Sequence, residues 1–546
     1  MSTTIPPEPE KTTGLGAENT SESKAQNLTR QGGVVAGMTL LSRISGLMRD
    51  IVLSYLFGAS AVADMFFVAF RIPNFFRRLF AEGAFSQAFV PVLMQYKAKG
   101  HKELTYFVAG LSGLFGIVLL GFVALGVVFA SGLTALFAPG FIEQPEQFSA
   151  TTELVRITFP YLGFISLTAF AGSLLNAHNQ FALPAFTPVM LNLCLMIAAM
   201  LALTGWFNLQ PVVIVAWGVM AAGIVQLGIQ LPALSRMGLL VRPQISTRHE
   251  GVRKVGVLLI PAVLAASVGQ INALVNTILA STLTSGSIAW LYYADRLLEL
   301  PVGLVAVALG TVMLPHLSAM VARGDSDAFR GTISWGLSLG LMLALPAAVA
   351  LYFFAQPLLA VLFMSLSGGA MTAFDIRMSS YALEMFAIAL PGFVLVKVLS
   401  PAYFAHQDTR TPFHYAAIAV AVNLVVSLAT FQTMGHTGLA MATAMSAWTQ
   451  ATLLYIGLHR KGHYRLDRKV TLVTMKTLFA SAILGVGLLY SLPEAQVWLD
   501  MQSLPRIGWT IGVMFLGAGV YGLALLFLGM RPSDFKHQHV EADKQK

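Results

Sequence analysis

Residues Ser42–Pro91 read SRISGLMRDIVLSYLFGASAVADMFFVAFRIPNFFRRLFAEGAFSQAFVP. The run is strongly apolar, yet it carries Arg43, Arg49, Asp50, Asp64, Arg71, Arg77, Arg78 and Glu82. A charge at the centre of a membrane helix costs about 2.5–3.5 kcal/mol on insertion scales. Groups that expensive face a protein-lined, hydrated cavity and mark a pathway or a binding site. A cavity rich in arginine points to an anionic passenger.

The rest of the chain agrees that the surroundings are lipid. Of 546 residues, 56% are hydrophobic and 11% charged, against about 25% charged in soluble domains; the mean hydropathy is +0.72. Apolar runs long enough to span recur along the whole length, which implies helices rather than a barrel. The net charge of +9 does not imply nucleic acid, because lysine and arginine cluster between apolar segments, the pattern of membrane orientation. Cys194 is the single cysteine, so no disulfide or cysteine metal site forms within one chain. The polar, Pro/Ser/Thr/Glu-rich start is expected to be a disordered tail over 1–32. The first apolar segment is long and far from the start, unlike a signal peptide, and is expected to be retained.

Fourteen spans are expected, near 34–57, 62–95, 104–131, 153–176, 183–205, 211–235, 254–283, 288–320, 330–354, 379–404, 411–432, 437–459, 470–491 and 506–529. Pro73 and Asn74 predict a kink or unwound turn in the second. One set of connections carries Lys97, Lys99 and Lys102, then Arg236, Arg242, Arg248, Arg253 and Lys254, then Arg323, then Arg410, then Arg460, Lys461, Arg465, Arg468 and Lys469. The alternate set is short and neutral or carries Glu143, Glu146, Glu494 and Asp500, with Arg377 at its fringe. The basic set belongs in the cytoplasm, which puts both termini there.

An internal repeat is visible. FFVAFRIPN leading to AFVPVLMQY parallels LYYADRLLELP leading to VMLPHLSAM, so Arg71 aligns with Arg296 and Pro91 with Pro315. FPYLGFISLTAFAGSLLNAHNQ with Thr187-Pro188 parallels LPGFVLVKVLSPAYFAHQD with Thr411-Pro412. The expected fold is therefore an all-α polytopic membrane protein of two pseudo-symmetric six-helix lobes plus two C-terminal helices. Substrate sites of such repeats lie between the halves, which rock for alternating access. The expected division is a tail 1–32, an N-terminal lobe 33–236, a C-terminal lobe 237–460, two further helices in 461–530 and a cytoplasmic tail 531–546.

Each charge has two readings. Arg43 and Asp50 share a helical face; Arg49 and Asp50 either pair at the membrane edge or line the cavity. Asp64, Arg71, Arg77, Arg78 and Glu82 either pin bent helices together as ion pairs or, since arginine outnumbers carboxylate, leave guanidinium free for bidentate phosphate recognition. Asp64 reads as tuning or gating an arginine. In the eighth span Asp295, Arg296 and Glu299 pair along the helix, or their carboxylates reach the arginines of the first half as a latch that breaks during transport. Lys397 either snorkels or is a functional cation. Histidines are scattered without metal-ligand pairing, and no Walker lysine loop or GxSxG nucleophile is present. No catalytic residue, metal or nucleotide engine is expected.

The string SRISGLMRD…FGAS..AD.FFVAFRIPNFFRRLFAEGAFSQAFVP closely resembles the MurJ (MviN) family, lipid II flippases of the multidrug/oligosaccharidyl-lipid/polysaccharide exporter superfamily. YYADRLLELP, GTVMLPHLS and VKVLSPAYFAHQDTRTP fit the same family. The resemblance implies a central cationic cavity between two lobes in a V, and a groove in 461–530 for the polyprenyl tail. It implies functional roles for Arg43, Arg49, Asp64, Arg77, Glu82, Asp295, Arg296, Glu299 and Lys397. Substrate binding is expected of Arg43, Arg49, Arg77, Arg296 and Lys397. Gating or structural charge is expected of Asp50, Asp64, Arg71, Glu82, Asp295 and Glu299. Arg71 stands where relatives carry lysine, which keeps the charge and changes the fork geometry.

The implied activity is transfer of lipid II across the bacterial inner membrane for peptidoglycan synthesis. The expected partners are lipid II, membrane lipids and peptidoglycan-synthesis enzymes, without nucleic acid. No cofactor is expected, and resetting would use membrane potential or a monovalent cation. The rival readings are a flippase for another undecaprenyl-pyrophosphate-linked oligosaccharide and a cation-coupled drug exporter, the latter disfavoured by the arginines. A scaffold that recruits cell-wall enzymes leaves the intramembrane charges unexplained.

Overall fold

The computed structural model describes residues 15–79, 84–246, 249–365, 369–491 and 495–530, which are helical with no strand among them. The first part of the chain forms α1 (Leu15–Phe57), α2 (Ala61–Arg77), α3 (Ala84–Lys99), α4 (His101–Val128), α5 (Ala130–Phe137) and a 3-10 turn (Pro139–Glu143). It continues with α6 (Pro145–Thr158), α7 (Tyr161–Ala177), α8 (Ala182–Leu203), α9 (Pro211–Gly228) and α10 (Leu231–Arg236). The second part forms α11 (Glu250–Ser281), α12 (Ser287–Arg323), α13 (Ser326–Phe353), α14 (Ala355–Leu359) and a π turn (Ala360–Ser365). It ends with α15 (Ala373–Ala405), α16 (Arg410–Met434) and α17 (His436–Arg460), followed by α18 (Arg468–Ser491), α19 (Ala495–Asp500) and α20 (Ser503–Phe527).

Nine helical segments among the described residues are long and apolar enough to cross a bilayer: α4, α6 with α7, α8, α9 with α10, α13, α15, α16, α18 and α20. The other five expected spans fall on α1, α2 with α3, α11, α12 and α17, outside that set.

The helices pack in two groups. In the first, α1 lies on α8, α8 and α7 on α9, and α2 on α6; in the second, α12 and α13 lie on α15, and α15 and α16 on α17. The internal repeat appears as repeated contact. The fourth and fifth spans of each half pack on its sixth: α7 and α8 on α9, α15 and α16 on α17. Helix α18 packs on α13, and α20 packs on α18, outside both groups. Helix α11 bridges them, touching α3 of the first group and α16 of the second.

Two local outcomes differ from the expectation. Helix α1 begins at Leu15, inside the stretch expected to be a disordered tail. Residues 15–30 (LGAENTSESKAQNLTR) hold no proline and include Ala, Glu, Lys and Gln, good helix formers that extend the membrane helix outward. The second difference is that no turn of α2 unwinds at Pro73 and Asn74, and the helix continues to Arg77. Proline removes one intrahelical donor and leaves the carbonyl four residues earlier without a partner. That carbonyl, Ala69 O, accepts instead from Thr158 Oγ1 of α6 at 2.9 Å. Asn74 Nδ2 turns back to Phe70 O at 2.9 Å. A hydroxyl from a neighbouring helix thus re-satisfies the backbone, as lipid-embedded proline requires.

The groups meet where α1 ends and α12 begins, and backbone touches backbone there. Gly58 has φ +59, and a Cβ on it would lie 2.5 Å from Ala370 O. Gly286 has φ +95, and a Cβ on it would lie 2.5 Å from Ala59 O. Only glycine serves both the left-handed backbone and the approach. Aromatic rings fill the junction: Phe67 stacks on Tyr292 at 3.9 Å, and Tyr293 donates its hydroxyl to Gly58 O at 3.0 Å.

Candidate functional site

Helices α1 and α12 run antiparallel here. Tyr292, Arg296, Glu299 and Gly303 lie on successive turns of α12, and Arg49, Asp50 and Arg43 face them from α1. The Asp50 carboxylate, 0% exposed, is the hub. Its Oδ1 accepts from Arg49 Nη2 at 2.7 Å, Arg49 Nε at 3.0 Å and the Tyr292 hydroxyl at 2.9 Å. Its Oδ2 forms an ion pair with Arg296 Nε at 2.7 Å. Arg49 also donates through Nη1 to Asn192 Oδ1 of α8 at 3.1 Å and through Nη2 to the Tyr292 hydroxyl at 2.9 Å. Asn192 is itself fixed by donating to Ser45 Oγ at 2.9 Å.

Further along α12, Arg296 Nη1 pairs with Glu299 Oε2 at 2.9 Å, and Arg296 Nη2 donates to Tyr292 at 3.0 Å. Side-chain exposure climbs from 0% at Asp50 to 27% at Arg296 and 43% at Glu299. The contact is therefore sealed at Asp50 and opens to solvent toward Glu299. Arg43 lies at that opening. Its Nη1 donates to the Glu299 backbone carbonyl at 3.1 Å, and its buried Nε has no hydrogen-bond partner among the described residues. Gly303 makes the room: a Cβ there would run into the Arg43 guanidinium.

Asp64 pairs with no arginine among the described residues. It caps the start of α12, accepting from Gly286 N at 2.6 Å and Ala289 N at 2.8 Å. A carboxylate at a helix N-terminus meets free N–H groups and the positive end of the dipole. Because Asp64 belongs to α2, the cap is a second tie between the halves.

Arg71 donates to Thr277 Oγ1 of α11 at 2.5 Å. Asp295 lies in the field of Arg71 and Arg78. Arg77 Nε donates to Asn74 Oδ1 at 3.0 Å. Lys397 on α15 is exposed and has no ion pair among the described residues. Glu82 lies outside the described residues.

The structure thus brings Arg43, Arg49, Asp50, Arg296 and Glu299 together and leaves Lys397 apart from their network. Of the two readings of α12, pairing along the helix is found between Arg296 and Glu299. The tie across the halves has the opposite polarity to the latch reading: Asp50 of α1 reaches Arg296 of α12. Arg49, expected at the cavity wall, is 4% exposed and bonded through all three of its nitrogens. Sequence reasoning missed Tyr292 and Asn192. Tyr292 stands four residues before Arg296, on the same face, and Asn192 is a polar residue in the apolar run VMLNLCLM. The rule that flagged the charges applies to both.

A lined cavity of about 400 Å³ lies beside the last helices, with Leu337 of α13, Leu399 of α15, Tyr455 of α17 and Val470, Met475 and Leu478 of α18 among its walls.

The family model described as lipid II flippase MurJ matches residues 53–508. The chain belongs to the MurJ family. A probable lipid II flippase MurJ of Vibrio cholerae is 42% identical over 524 residues, which cover 94% of this chain and 98% of that protein. The lipid II flippase MurJ of Burkholderia cenocepacia is 37% identical over 94% of this chain and 99% of its own length. Among solved structures, a lipid II flippase MurJ in an inward closed conformation superposes with a TM-score of 0.74 at 26% identity, over 90% of this chain and 99% of that one. An inward-facing multidrug transporter of the MATE family shares the fold alone, with a TM-score of 0.61 at 14% identity. This MurJ-family chain is therefore a multi-pass membrane protein of the flippase class.

Proposed function

We propose that this chain carries lipid II from the cytoplasmic to the periplasmic leaflet of the bacterial inner membrane by alternating access. In this reading fourteen spans cross the bilayer and both termini are cytoplasmic. The observation that carries it is the Asp50–Arg296 tie with Tyr292, which seals α1 against α12 at one end. The basic connections lie at the opposite end, so the seal reads as periplasmic and the open side as cytoplasmic.

The pyrophosphate of lipid II enters from the cytoplasm and meets Arg43 first, because that guanidinium keeps unused donors at the mouth of the space. Arg77 and Lys397 add positive potential. Arg296 is the exchangeable group: two carboxylates hold it now, and a diphosphate offers the same bidentate geometry. Drawing Arg296 toward the ligand weakens its hold on Asp50 and favours the state in which the halves part. A ligand shifts that equilibrium only by its differential affinity for the two states. Arg49 is a positioning residue for Asp50. The polyprenyl tail stays in lipid, and the apolar cavity beside α18 supports its placement along the 461–530 region. Resetting draws on membrane potential or a monovalent cation; one charge moved across 100 mV is worth about 2.3 kcal/mol. Peptidoglycan-synthesis enzymes are the proposed protein partners.

The test is lipid II accessibility to an external probe in cells after rapid inactivation of the protein, repeated with Arg43→Ala and Arg49→Ala. Loss of flipping with normal membrane insertion is expected for both. Undiminished flipping in both would overturn the assignment. Purified protein offered lipid II, an O-antigen lipid and a cationic dye is expected to prefer lipid II; preference for either of the others would transfer the proposal to that substrate.

A further inference from the structure

At the end of the second half that carries Arg410 and Lys461, two connections meet over a polar cavity of about 300 Å³ lined by Tyr403, His406, Asp408, Leu458, Lys461 and His463. None of these residues takes part in the α1–α12 network. The imidazoles of His406, after α15, and His463, after α17, are stacked with centroids 4.1 Å apart and planes 19° apart. Phe329 of α13 presses edge-on against His406 at 5.0 Å. His406 Nε2 is buried without a hydrogen-bond partner among the described residues. Lys461 Nζ pairs with Asp408 Oδ2 at 2.5 Å and lies 5.4 Å from the Tyr403 ring. Asp408 is further held by Thr411, whose N–H and hydroxyl donate to it at 3.0 and 2.6 Å.

We propose that the His406–His463 stack is a proton-responsive clamp, closed while both rings are neutral and opened when one is protonated. Neutral imidazoles stack as flat aromatic faces, and the buried Nε2 fits a ring with no proton to place there. A single imidazolium here shares the cavity with the Lys461 ammonium and is repelled by it, and a second one 4.1 Å away adds to the repulsion.

The electrostatics run the same way. Burial first, and then the Lys461 ammonium, hold His406 below the ordinary imidazole range, with Asp408 opposing. Burial, His406 and Lys461 do the same to His463. Burial would raise Asp408, but the bonds from Lys461 and Thr411 hold it well below the usual carboxylate range. A depressed histidine favours closure above its ordinary value of about 6.5 and loses that contribution as pH falls through the lowered one. The other groups facing the stack are Lys461, Asp408, Tyr403, Tyr464 and Arg330, whose Nη2 donates to Gly462 O at 3.3 Å. Histidine is the side chain that ordinarily changes charge between pH 5 and 8. His459 lies beyond Tyr455, outside the lining.

The clamp joins the end of α15 to the connection that becomes α18. That connection carries Leu466, which with Val470 and Met475 lines the apolar cavity described above. Protonation from the side of the basic connections would release the near end of α18 and widen that cavity. The clamp would thus act as a pH input to the outer helices from the end read above as cytoplasmic, outside the α1–α12 network.

Spin labels at Thr409→Cys and Arg465→Cys, both exposed positions, report the clamp in full-length protein with Cys194→Ser. One narrow distance is expected at pH 7.5, and loss of that population to a broader, longer one at pH 5. His463→Gln, which stacks but takes no proton, is expected to keep the narrow distance at pH 5. His463→Lys, permanently charged, is expected to show the broad one at pH 7.5 with an unaltered elution profile. An unchanged distance across the pH range, or the same acid response in His406→Gln/His463→Gln, would overturn the clamp. This readout is independent of lipid II, so its failure leaves the flipping proposal standing.

Discussion

Arg43 and Arg49 look alike in the sequence, six residues apart in one apolar run, and the fold gives them different roles. Arg49 is enclosed by Asp50, Asn192 and Tyr292, whereas Arg43 rests on α12 at Gly303 with a bare Nε. The charges were legible because they are costly in lipid. Their partners were not, since Asn192 and Tyr292 lie 143 and 243 residues from Arg49 along the chain. Gly303 yields a direct test. Gly303→Ala puts a methyl group where the Arg43 guanidinium sits, so Arg43 must swing away from α12. Lipid II flipping is expected to fall with membrane insertion and thermal stability near wild type, and Gly303→Val to do more damage. Full activity in Gly303→Val would remove Arg43 from the mouth of the substrate space.

Among the elements, α2 shows how sequence rules can be right in mechanism and misplaced in outcome. Proline was expected to kink the helix or unwind a turn of it because it withdraws a donor. The withdrawn donor is real, but Thr158 of α6 replaces it, and the helix goes on to Arg77. Nothing near Pro73 announces a threonine 85 positions later. Thr158→Val leaves the Ala69 carbonyl without a donor, which costs about 1–3 kcal/mol and should appear as a lower unfolding midpoint in detergent. Pro73→Ala restores the backbone N–H, so the double variant Pro73→Ala/Thr158→Val should recover most of that loss. Additive losses in the double variant would refute the account. Helix α1 makes the complementary point: its polar start holds no proline from Leu15 on, and the helix runs through it.

For the whole molecule, the repeat was legible because paired motifs recur at matched offsets, and it reappears as matched packing of α7 and α8 on α9 and of α15 and α16 on α17. Which end is closed was not legible, because closure depends on Asp50 and Arg296 meeting across two lobes. Removing one partner of a buried ion pair typically costs about 3–5 kcal/mol. Asp50→Asn leaves Arg49 and Arg296 facing each other without the carboxylate, so the closed arrangement should lose population to one with α1 and α12 apart. Distance measurements between labels near Ser60 and Ser285 should lengthen in Asp50→Asn and return when Arg296→Gln is added. An unaltered distance in Asp50→Asn would mean that the Asp64 cap and the glycine contacts hold the seam alone.

Those glycine contacts bear on bioenergetics as well as geometry. At Gly58 and Gly286 the main chains approach so closely that not even a methyl group fits, and aromatic rings plug the remaining gap. A membrane that stores energy as voltage tolerates no aqueous thread from face to face. With the lobes shut at this end, a joint of bare backbone and stacked rings would insulate against proton leakage while, in the proposed cycle, the opposite end opens to admit the substrate's head.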